Sequence, residues 1–392
     1  MTVNLFDDQF RDRLLPLAYT RPIADLRIGI MTIAQKWAHD LAVETGFLTV
    51  DYLQEKFTAL PAATLLINGR VLPTASLVSS VLGLKSLQGL KSDQGDIIAY
   101  QGIGESSVTN WVEVEANFIR YPEDIFAMNG SEIELDFARL TSGRKSQPLS
   151  KTNQVVGEGD IFLEPGSRVE GCIIDPDGGY IYIGKEAEIM PGSLIHGSLA
   201  VCDNATIKMG AKIYGPTTIG PHSKAGGEIN NSVFIGYSNK GHDGFLGNSV
   251  IGEWCNLGAD TNNSNLKNNY ANVKIWDYTT ERFRDTGMQF CGLIMGDHSK
   301  CGINTMFNTG TVVGVSANIF GSGFPRNLIP SFAWGGSSGF TTYQLKKVYE
   351  TAEKVFERRS LQFDRTEKTI LSHIFEMTSS SRFWEDKKTI KI

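Results

Sequence analysis

The sequence predicts an α/β domain followed by a parallel β-helix, with a helical segment at the C-terminus. Three observations support this fold class. An aliphatic side chain recurs every six residues through the second half of the 392-residue chain. The first third mixes strand-like and helix-like patterns without that repeat. Near the C-terminus, Leu345, Val348, Ala352 and Phe356 follow the spacing of an amphipathic helix.

The six-residue repeat is clearest between Ile183 and Ala225. Ile or Val occupies seven of its eight positions, which are Ile183, Ile189, Ile195, Val201, Ile207, Ile213, Ile219 and Ala225. A period of six fits neither an α-helix nor a half-buried strand, but it is typical of hexapeptide β-helices. We expect these side chains to point inward, so that stacked triangular coils bury one continuous column.

Two further runs keep the period in other phases. One contains Val233, Phe245, Ile251 and Leu257, and its one polar position is Asn239. The other consists of Met295, Cys301, Phe307, Val313 and Ile319. The phase shifts predict insertions between coils, and the largest, at residues 262–288, is expected to be an extruded loop. Such loops commonly carry function.

The segments before the repeat predict an α/β domain. Residues 63–70 and 95–100 have the pattern of buried strands, residues 31–43 that of an amphipathic helix, and residues 121–136 that of a short helix with a connector. A polar stretch then marks a boundary. The predicted divisions are 1–140 for this domain, 141–153 for a linker, 154–337 for the β-helix and 338–392 for the C-terminal helical segment.

Composition limits the classes of function. The formal net charge of −6 argues against a broad nucleic-acid-binding surface, which needs a dense basic face. Five cysteines without a CxxC pair predict reduced core thiols in a cytoplasmic protein. Neither a leader nor an apolar run of about 18 residues is found, so we expect neither secretion nor membrane spanning.

The most informative polar segment runs from Asn239 to Asn265, with His242 between Gly241 and Gly244. Its Gly-His, Leu-Gly, Ile-Gly and Asn-Leu-Gly-Ala-x-Thr elements resemble the acetyltransferase half of the bifunctional N-acetylglucosamine-1-phosphate uridyltransferase/glucosamine-1-phosphate acetyltransferase family. The divergent Bacteroidetes form is the most similar. The resemblance implies a left-handed β-helix, a homotrimer and acetyl-CoA as co-substrate.

Acyl transfer from a thioester to an amine needs a base for the amine proton and donors for the oxyanion. Histidine suits the first task near neutral pH, and the resemblance makes His242 that base. It implies contacts with the amino sugar from Asn256 and from either Asn265 or Asn269, and it places Lys274 near the coenzyme. Phe245 replaces a family tyrosine, so the hydroxyl of that tyrosine is missing or supplied elsewhere.

The sugar-phosphate ligands of the family match less well. Lys212 lies near an expected arginine, whereas Asn230 replaces an expected lysine, so a different or more weakly held acceptor is an alternative.

The candidate site residues could also have purely structural roles. His242 could simply be solvated, and Asn256 and Asn265 could form turns or stacked ladders at coil corners. His222, about one coil earlier, raises the alternative of a zinc site between chains, as in β-helix trimers of the carbonic anhydrase type.

In the stretches Leu14–Trp37 and Leu65–Pro73, the first domain resembles divergent versions of the sugar nucleotidyltransferase motifs. It has no Gly-rich phosphate loop, although Thr20, Arg21 and Arg27 are candidate phosphate contacts. Arg70 follows Gly69 where the family has an aspartate that holds Mg²⁺, so another carboxylate would be needed if nucleotidyl transfer survives. The unranked candidates are Asp7, Asp8, Asp25 and Asp124.

These observations predict a transferase of sugar-nucleotide biosynthesis, serving UDP-N-acetylglucosamine and the cell envelope. The β-helix would N-acetylate a hexosamine 1-phosphate, namely glucosamine 1-phosphate, and the first domain could join the sugar phosphate to UTP or dTTP. One alternative is a sugar-1-phosphate nucleotidyltransferase whose β-helix is only structural. Another is a non-catalytic oligomerisation or carbohydrate-binding protein.

Overall fold

We analysed a computed structural model, which describes residues 2–385. The predicted fold class is confirmed: an N-terminal α/β domain is followed by a parallel β-helix with helices at its C-terminal end. The predicted helix at the end of the chain runs from Leu345 to Glu357, and a second helix, at Arg365–Met377, was not predicted.

The N-terminal domain contains a mixed sheet in the order β4–β1–β5–β8–β7–β9. Both predicted strands are present as β5 and β8. The strands of the domain are β1 Val3–Phe6, β2 Arg27–Ile28, β3 Met31–Thr32, β4 Thr45–Leu48, β5 Leu65–Asn68, β6 Val71–Leu72, β7 Gln88–Lys91, β8 Ile97–Gln101, β9 Asn110–Glu113 and β10 Asn117–Phe118. Its helices are α1 Ile33–Leu41, α2 Ala75–Leu82, α3 Asp124–Ala127 and α4 Asn129–Thr141. Short 3₁₀ turns occupy Arg11–Leu14, Leu17–Tyr19, Ile23–Asp25, Asp51–Leu53 and Glu105–Ser107.

Helix α1 illustrates how local sequence sets the elements of this domain. Thr32 Oγ1 accepts from the backbone N–H of Gln35 (3.2 Å), and Gln35 Oε1 accepts from that of Thr32 (2.8 Å), which forms a capping box. The buried Lys36 of α1 bonds to Asp136 of α4 (2.5 Å) and lies 2.8 Å from Glu132. A buried ammonium needs such partners, and here they join the two helices.

Three parallel faces form the β-helix. The first face contains Gln154–Val155, Ile173–Asp175, Leu194–His196, Lys212–Tyr214, Glu228–Asn230 and Phe245–Gly247. The second contains Ile161–Leu163, Ile181–Ile183, Leu199–Val201, Thr217–Ile219, Val233–Gly236, Val250–Glu253, Leu293–Met295, Thr311–Val313 and Leu328–Ile329. The third contains Arg168–Val169, Glu188–Ile189, Thr206–Ile207, Lys224–Ala225, Asn239–Lys240, Asn256–Leu257, Lys300–Cys301, Asn318–Ile319, Ala333–Gly336 and Gly339–Thr342, the last two as an antiparallel hairpin.

The predicted inward column from Ile183 to Ala225 is buried throughout, in register from coil to coil. The predicted run of Val233, Phe245, Ile251 and Leu257 was wrong at its first two positions, whereas Ile251 and Leu257 lie inward as predicted. Phe234, not Val233, stacks on Ile219, and Lys240, not Asn239, stacks on Ala225. The inward position on the first face is likewise Leu246 rather than Phe245, because the coil after Ala225 is shorter than three hexads.

The outward side of the second face is covered by the N-terminal domain. Val233, Val250, Ile294 and Val312 stack in adjacent strands and belong to the hydrophobic core of that domain. Thr218 Oγ1 donates to the carbonyl of Gly29 (2.9 Å), and Asn129 Nδ2 donates to that of Pro216 (3.0 Å). Val233 is therefore buried at this interface and not in the lumen.

The long insertion does not extend freely into solvent. It contains a hairpin of Lys274–Asp277 with Arg282–Asp285, and its start pairs Asn262–Asn263 with Met306–Phe307. The Arg284 guanidinium lies 3.6 Å from the ring centroid of Tyr121 and forms an ion pair with Glu123. These contacts hold the hairpin against the N-terminal domain.

The cysteines are the reduced core thiols that the sequence predicts. All five cysteines are buried, and none of them forms a disulfide. Residues 2–385 contain no helix with the length and apolar character needed to cross a bilayer. The part of the predicted C-terminal segment beyond residue 385 lies outside the described residues.

Candidate active site

His242 lies at the corner between the third-face strand Asn239–Lys240 and the first-face strand Phe245–Gly247. Its side chain is exposed, and its imidazole has no hydrogen-bond or ring partner within residues 2–385. Gly244 has a φ of +116°, and a Cβ there would overlap the carbonyl oxygen of Thr261 in the next coil. The tight turn therefore requires glycine, and it projects the ring away from the coil.

A cavity of about 560 Å³ lies on the same edge of the β-helix, one coil further along. Asp260 and Asn262 line it, and both bond to the His242 turn. The Asp260 N–H donates to the carbonyl of Asp243 (2.9 Å), and Asn262 Oδ1 accepts from the N–H of Phe245 (2.8 Å). The remaining lining residues are Ile303, Asn304, Met306, Gly321, Ser322 and Gly323. The turn that carries the exposed imidazole is thus bonded to two residues of a cleft with both apolar and polar walls, although His242 itself does not line it.

Phe245 and Lys212 lie on the first face with Glu228 between them. Lys212 pairs in register with Glu228, and Glu228 with Phe245. Lys212 Nζ is 3.9 Å from Glu228 Oε2, and the Tyr214 hydroxyl donates to Glu228 Oε1 (2.6 Å). Burial and this carboxylate raise the pKa of Tyr214 to about 12. A tyrosine hydroxyl is therefore present on this face, but on a strand two coils away from that of Phe245.

Asn230 and Asn265 approach the same residue from different coils. The backbone carbonyl of Asn230 accepts from the N–H of Asn248 (3.0 Å), and Asn265 Nδ2 donates to Asn248 Oδ1 (2.8 Å). Asn256 is exposed on the third face between Asn239 and Lys300, and its side chain forms no hydrogen bond within the described residues. Asn256 and Asn239 are thus neighbours in adjacent strands without a side-chain hydrogen bond between them, and within the described residues the amide of Asn256 is free for a ligand.

Asn269 and Lys274 lie in the insertion, away from the His242 turn. Asn269 Oδ1 accepts from the N–H of Ala271 (3.2 Å), which is a local turn contact. Lys274 is exposed on the hairpin that docks against the N-terminal domain. In residues 2–385 no contact joins either side chain to His242 or Asn256. The structure therefore does not assemble these four residues into one site within a single chain.

Two of the candidate phosphate contacts are occupied at the domain interface. Thr20 Oγ1 and Arg21 Nη2 both donate to Asp297 Oδ2, at 2.7 and 2.5 Å. Arg27 donates to the carbonyls of Ile235 (2.9 Å) and Ile30 and lines an interdomain cavity of about 770 Å³. His222 and Tyr237 also line this cavity, with their rings stacked at a centroid distance of 4.7 Å.

The carboxylates considered for Mg²⁺ already have protein partners. Arg70 Nε lies 3.0 Å from both oxygens of Asp8, and the guanidinium is sandwiched between Phe10 and Phe118. The other pairings are Asp7 with Arg11 and Thr49, Asp25 with Arg21, and Asp124 with the backbone N–H groups of Arg120 and Tyr121. The described residues contain no group of three His, Cys, Asp or Glu side chains suited to a metal ion. The four candidate carboxylates are therefore all engaged by protein groups, and His222 belongs to no such three-residue group within residues 2–385.

Sequence reasoning missed Glu228, Tyr214 and Lys240. Lys212, Glu228 and Phe245 become neighbours only once coil lengths are known, because the spacing between first-face strands is not constant. Lys240 was missed because the hexad template accepts only aliphatic residues at inward positions. The spacing His242–Gly244–Gly247 was the sequence signal that identified the turn.

The N-terminal domain matches one family model. Residues 3–145 match the family model described as sugar nucleotidyl transferase, which leaves the β-helix outside the match. The "Bifunctional protein GlmU" of Methanocaldococcus jannaschii is 33% identical over 87 residues, covering 22% of this chain and 21% of the relative. The alignment thus spans about a fifth of that relative's length. The family match supports the prediction that the chain is a transferase.

Solved structures of acyltransferases are also similar, at low scores. The polySia-specific acetyltransferase NeuO has a TM-score of 0.26 and 15% identity, covering 48% of this chain and 85% of its own. The Arabidopsis UDP-N-acetylglucosamine acyltransferase has a TM-score of 0.24 and 14% identity, covering 62% and 98%. The N-acyltransferase AntD from Bacillus cereus has a TM-score of 0.21 and 10% identity, covering 53% and 91%. At these scores the similarities carry no argument about function.

Proposed function

We propose that the chain is an acetyl-CoA-dependent N-acetyltransferase acting on a hexosamine 1-phosphate, with His242 as general base. The observation that carries this proposal is the exposed, unpartnered imidazole on a glycine-flanked corner beside a cleft. The resemblance of the His242 segment to the glucosamine-1-phosphate acetyltransferases supports glucosamine 1-phosphate as the acceptor. The product would feed UDP-N-acetylglucosamine synthesis in the cytoplasm, for the cell envelope.

In the reaction the acceptor amine attacks the thioester carbonyl, so a C–N bond forms as the C–S bond breaks. The imidazole takes the proton that the amine loses, and the thiolate of coenzyme A is protonated as it leaves. Asn256, with Asn265 or Asn269, is proposed to contact the acceptor, and Lys212 its phosphate. Glu228 beside Lys212 disfavours a second negative charge there, which fits a weakly held acceptor.

The proposed assembly is a homotrimer, since the prism offers flat faces that pack in a closed ring. A trimer also allows Lys274 and Asn269, which do not meet His242 within one chain, to act beside the His242 of another copy. These contacts are part of the proposal, as is the role of Lys274 beside the coenzyme.

A second candidate function is nucleotidyl transfer from UTP or dTTP to a sugar 1-phosphate in the N-terminal domain. The family match over residues 3–145 favours it, and Thr20, Arg21 and Arg27 are its proposed phosphate contacts. The pairing of Arg70 with Asp8 weighs against metal-assisted catalysis, because it engages a carboxylate that the metal would need.

One assay separates the candidates. The purified protein is incubated with glucosamine 1-phosphate, acetyl-CoA, UTP or dTTP, and Mg²⁺, and free thiol and pyrophosphate are followed separately. Thiol release that depends on the amino sugar supports the acetyltransferase. Pyrophosphate release without thiol supports the nucleotidyltransferase with a structural β-helix. Release of neither product supports a non-catalytic oligomerisation or carbohydrate-binding protein.

A further inference from the structure

Lys240 occupies an inward position of the β-helix. It stacks on Ala225, and Leu257 holds the corresponding place in the next coil. Its side chain is 1% exposed, although the inward column around it is otherwise apolar. Because burying an ammonium in such a lumen is costly without full hydrogen bonding, its presence requires a compensating role.

The Lys240 ammonium uses all three of its donors on backbone carbonyls. Its Nζ lies 2.9 Å from the oxygen of Gly226, 3.0 Å from that of His242 and 2.6 Å from that of Gly244. Two of these carbonyls belong to the exposed turn, and the third belongs to the preceding coil. The lysine thus ties the carbonyl of His242 itself and that of Gly244 to the wall of the lumen.

Equivalent corners are stabilised differently. Four residues after the inward Leu257, the Thr261 hydroxyl donates to the carbonyl of Gly258 (2.7 Å). Four residues after the inward Cys301, the Thr305 hydroxyl donates to that of Gly302 (2.8 Å). At the His242 corner this position is Gly244, which has no hydroxyl. At this corner the donor is the Lys240 ammonium, which comes from the lumen and bonds other carbonyls of the turn, those of His242 and Gly244.

We propose that Lys240 is a positioning residue that holds the 241–244 turn so that the His242 ring faces the neighbouring cleft. The expected effect of Lys240 on catalysis rests on the proposed function. Its effect on the conformational order of the 241–244 turn rests on the geometry alone. Asp243 and Asp260 act on the Lys240 ammonium through their charge. Its direct partners within residues 2–385 are the three carbonyls.

The test compares Lys240→Met, which keeps the length of the side chain but removes its donors, with Leu257→Met as a matched lumen control. We expect amide exchange at residues 241–245 to be at least about tenfold faster in K240M than in the wild type. We expect kcat for thiol release to fall about tenfold or more, with a smaller change in KM, because the base is misplaced. L257M should change each of these less than about twofold.

Unchanged exchange at the turn in K240M overturns the inference, and so does faster exchange with unchanged kcat. If the wild type releases no thiol, the proposed function fails, and exchange at the turn alone decides whether Lys240 orders it. If K240M does not fold, Lys240→Gln replaces it, because an amide keeps two of the three donors. An amide exchange rate at the turn of K240Q that lies between those of the wild type and a free loop supports the inference. A rate equal to that of the wild type refutes it.

Discussion

Arg21 and Asp297 join the two domains through a buried ion pair, with Arg21 Nη2 2.5 Å from Asp297 Oδ2. Arg21 lies in the N-terminal domain and Asp297 at a corner of the β-helix. Thr20 donates to the same carboxylate oxygen (2.7 Å), and Glu253 Oε2 lies 2.9 Å from the guanidinium. The nearby carboxylates raise the pKa of Arg21 against the opposing effect of burial. The domain interface is therefore held by charge as well as by apolar contact.

Asp297→Ala should destabilise the protein by about 3–5 kcal/mol, because it leaves the buried Arg21 without its nearest carboxylate. Urea unfolding monitored by circular dichroism measures this change. Glu357→Ala, which breaks a solvent-exposed pair with Lys354, is the control and should leave the midpoint unchanged. Equal midpoints for the two variants would contradict the structural role of the Arg21 contact.

His242→Ala should lower the rate of acetyl transfer by about 100-fold or more, the usual effect of removing a general base. Thermal stability should not change, because the ring is exposed and has no partner within residues 2–385. His196→Ala provides the control, since His196 is exposed on the first face and pairs with Asp175 at 2.9 Å. A loss of less than a few-fold in H242A removes His242 from the catalytic role.

The stability of the wild type relative to Lys240→Met should rise with pH between about 8 and 10.5. Burial lowers the pKa of Lys240 from 10.5 to about 8, against the opposing effect of Asp243, Asp260 and the Cys301 thiol. In that window the unfolded chain binds this proton more tightly than the folded chain, so raising the pH favours folding, by up to about 3 kcal/mol. Below pH 8 the difference should be constant. Unfolding curves of both proteins from pH 7 to 10.5 measure it, and a flat difference contradicts the lowered pKa.

Arg70→Met should destabilise the N-terminal domain by about 3 kcal/mol, because Asp8 loses its principal partner. Adding Asp8→Asn to R70M should recover part of this loss, since the uncompensated charge is then removed. Chemical denaturation of the single and double variants tests the coupling. If the changes in unfolding free energy of the two single variants add up to that of the double variant, Arg70 and Asp8 are not energetically coupled.

Phe356→Ala should destabilise the protein by about 3 kcal/mol and change the fluorescence of Trp254. Phe356 is 5% exposed and stacks on Trp254 at a centroid distance of 4.0 Å, which docks the Leu345–Glu357 helix on a corner of the β-helix. Phe324→Ala is the control because Phe324 is 52% exposed. A similar loss of stability in both variants would show that the Phe356–Trp254 stack does not hold the Leu345–Glu357 helix on the β-helix.

Much of the fold follows from the sequence because the β-helix is repetitive. Seven aliphatic residues at constant spacing between Ile183 and Ile219 define the register without information from elsewhere. The prediction lost the register after Ala225, where the chain shortens one coil and the inward position passes to Phe234 and Lys240. A shortened coil and an insertion produce the same kind of phase shift in a template that counts only fixed intervals, and here the shift that predicted an insertion comes from a shortened coil.

The site was less predictable than the fold. His242 was identified from its glycine-flanked turn, but the surroundings of Lys212 depend on which strands become neighbours. Arg21 illustrates the same limit: its charge suggested a phosphate contact, and only the docking of the two domains brings Asp297 to it. Long-range pairing of this kind has no local sequence pattern.

The corners between the second and third faces repeatedly place a non-glycine residue in the left-handed region, with φ of 57° at His222, 51° at Tyr237, 60° at Trp254 and 62° at His298. Each such residue carries a conformational cost of about 1–2 kcal/mol that an isolated coil could not sustain. Stacking of His222 on Tyr237 and of Tyr237 on Trp254 offsets it only when consecutive coils are present. The β-helix therefore tolerates the deletion or insertion of a whole coil better than that of a few residues within a coil. A change of a few residues would leave a strained corner residue without an aromatic ring on which to stack.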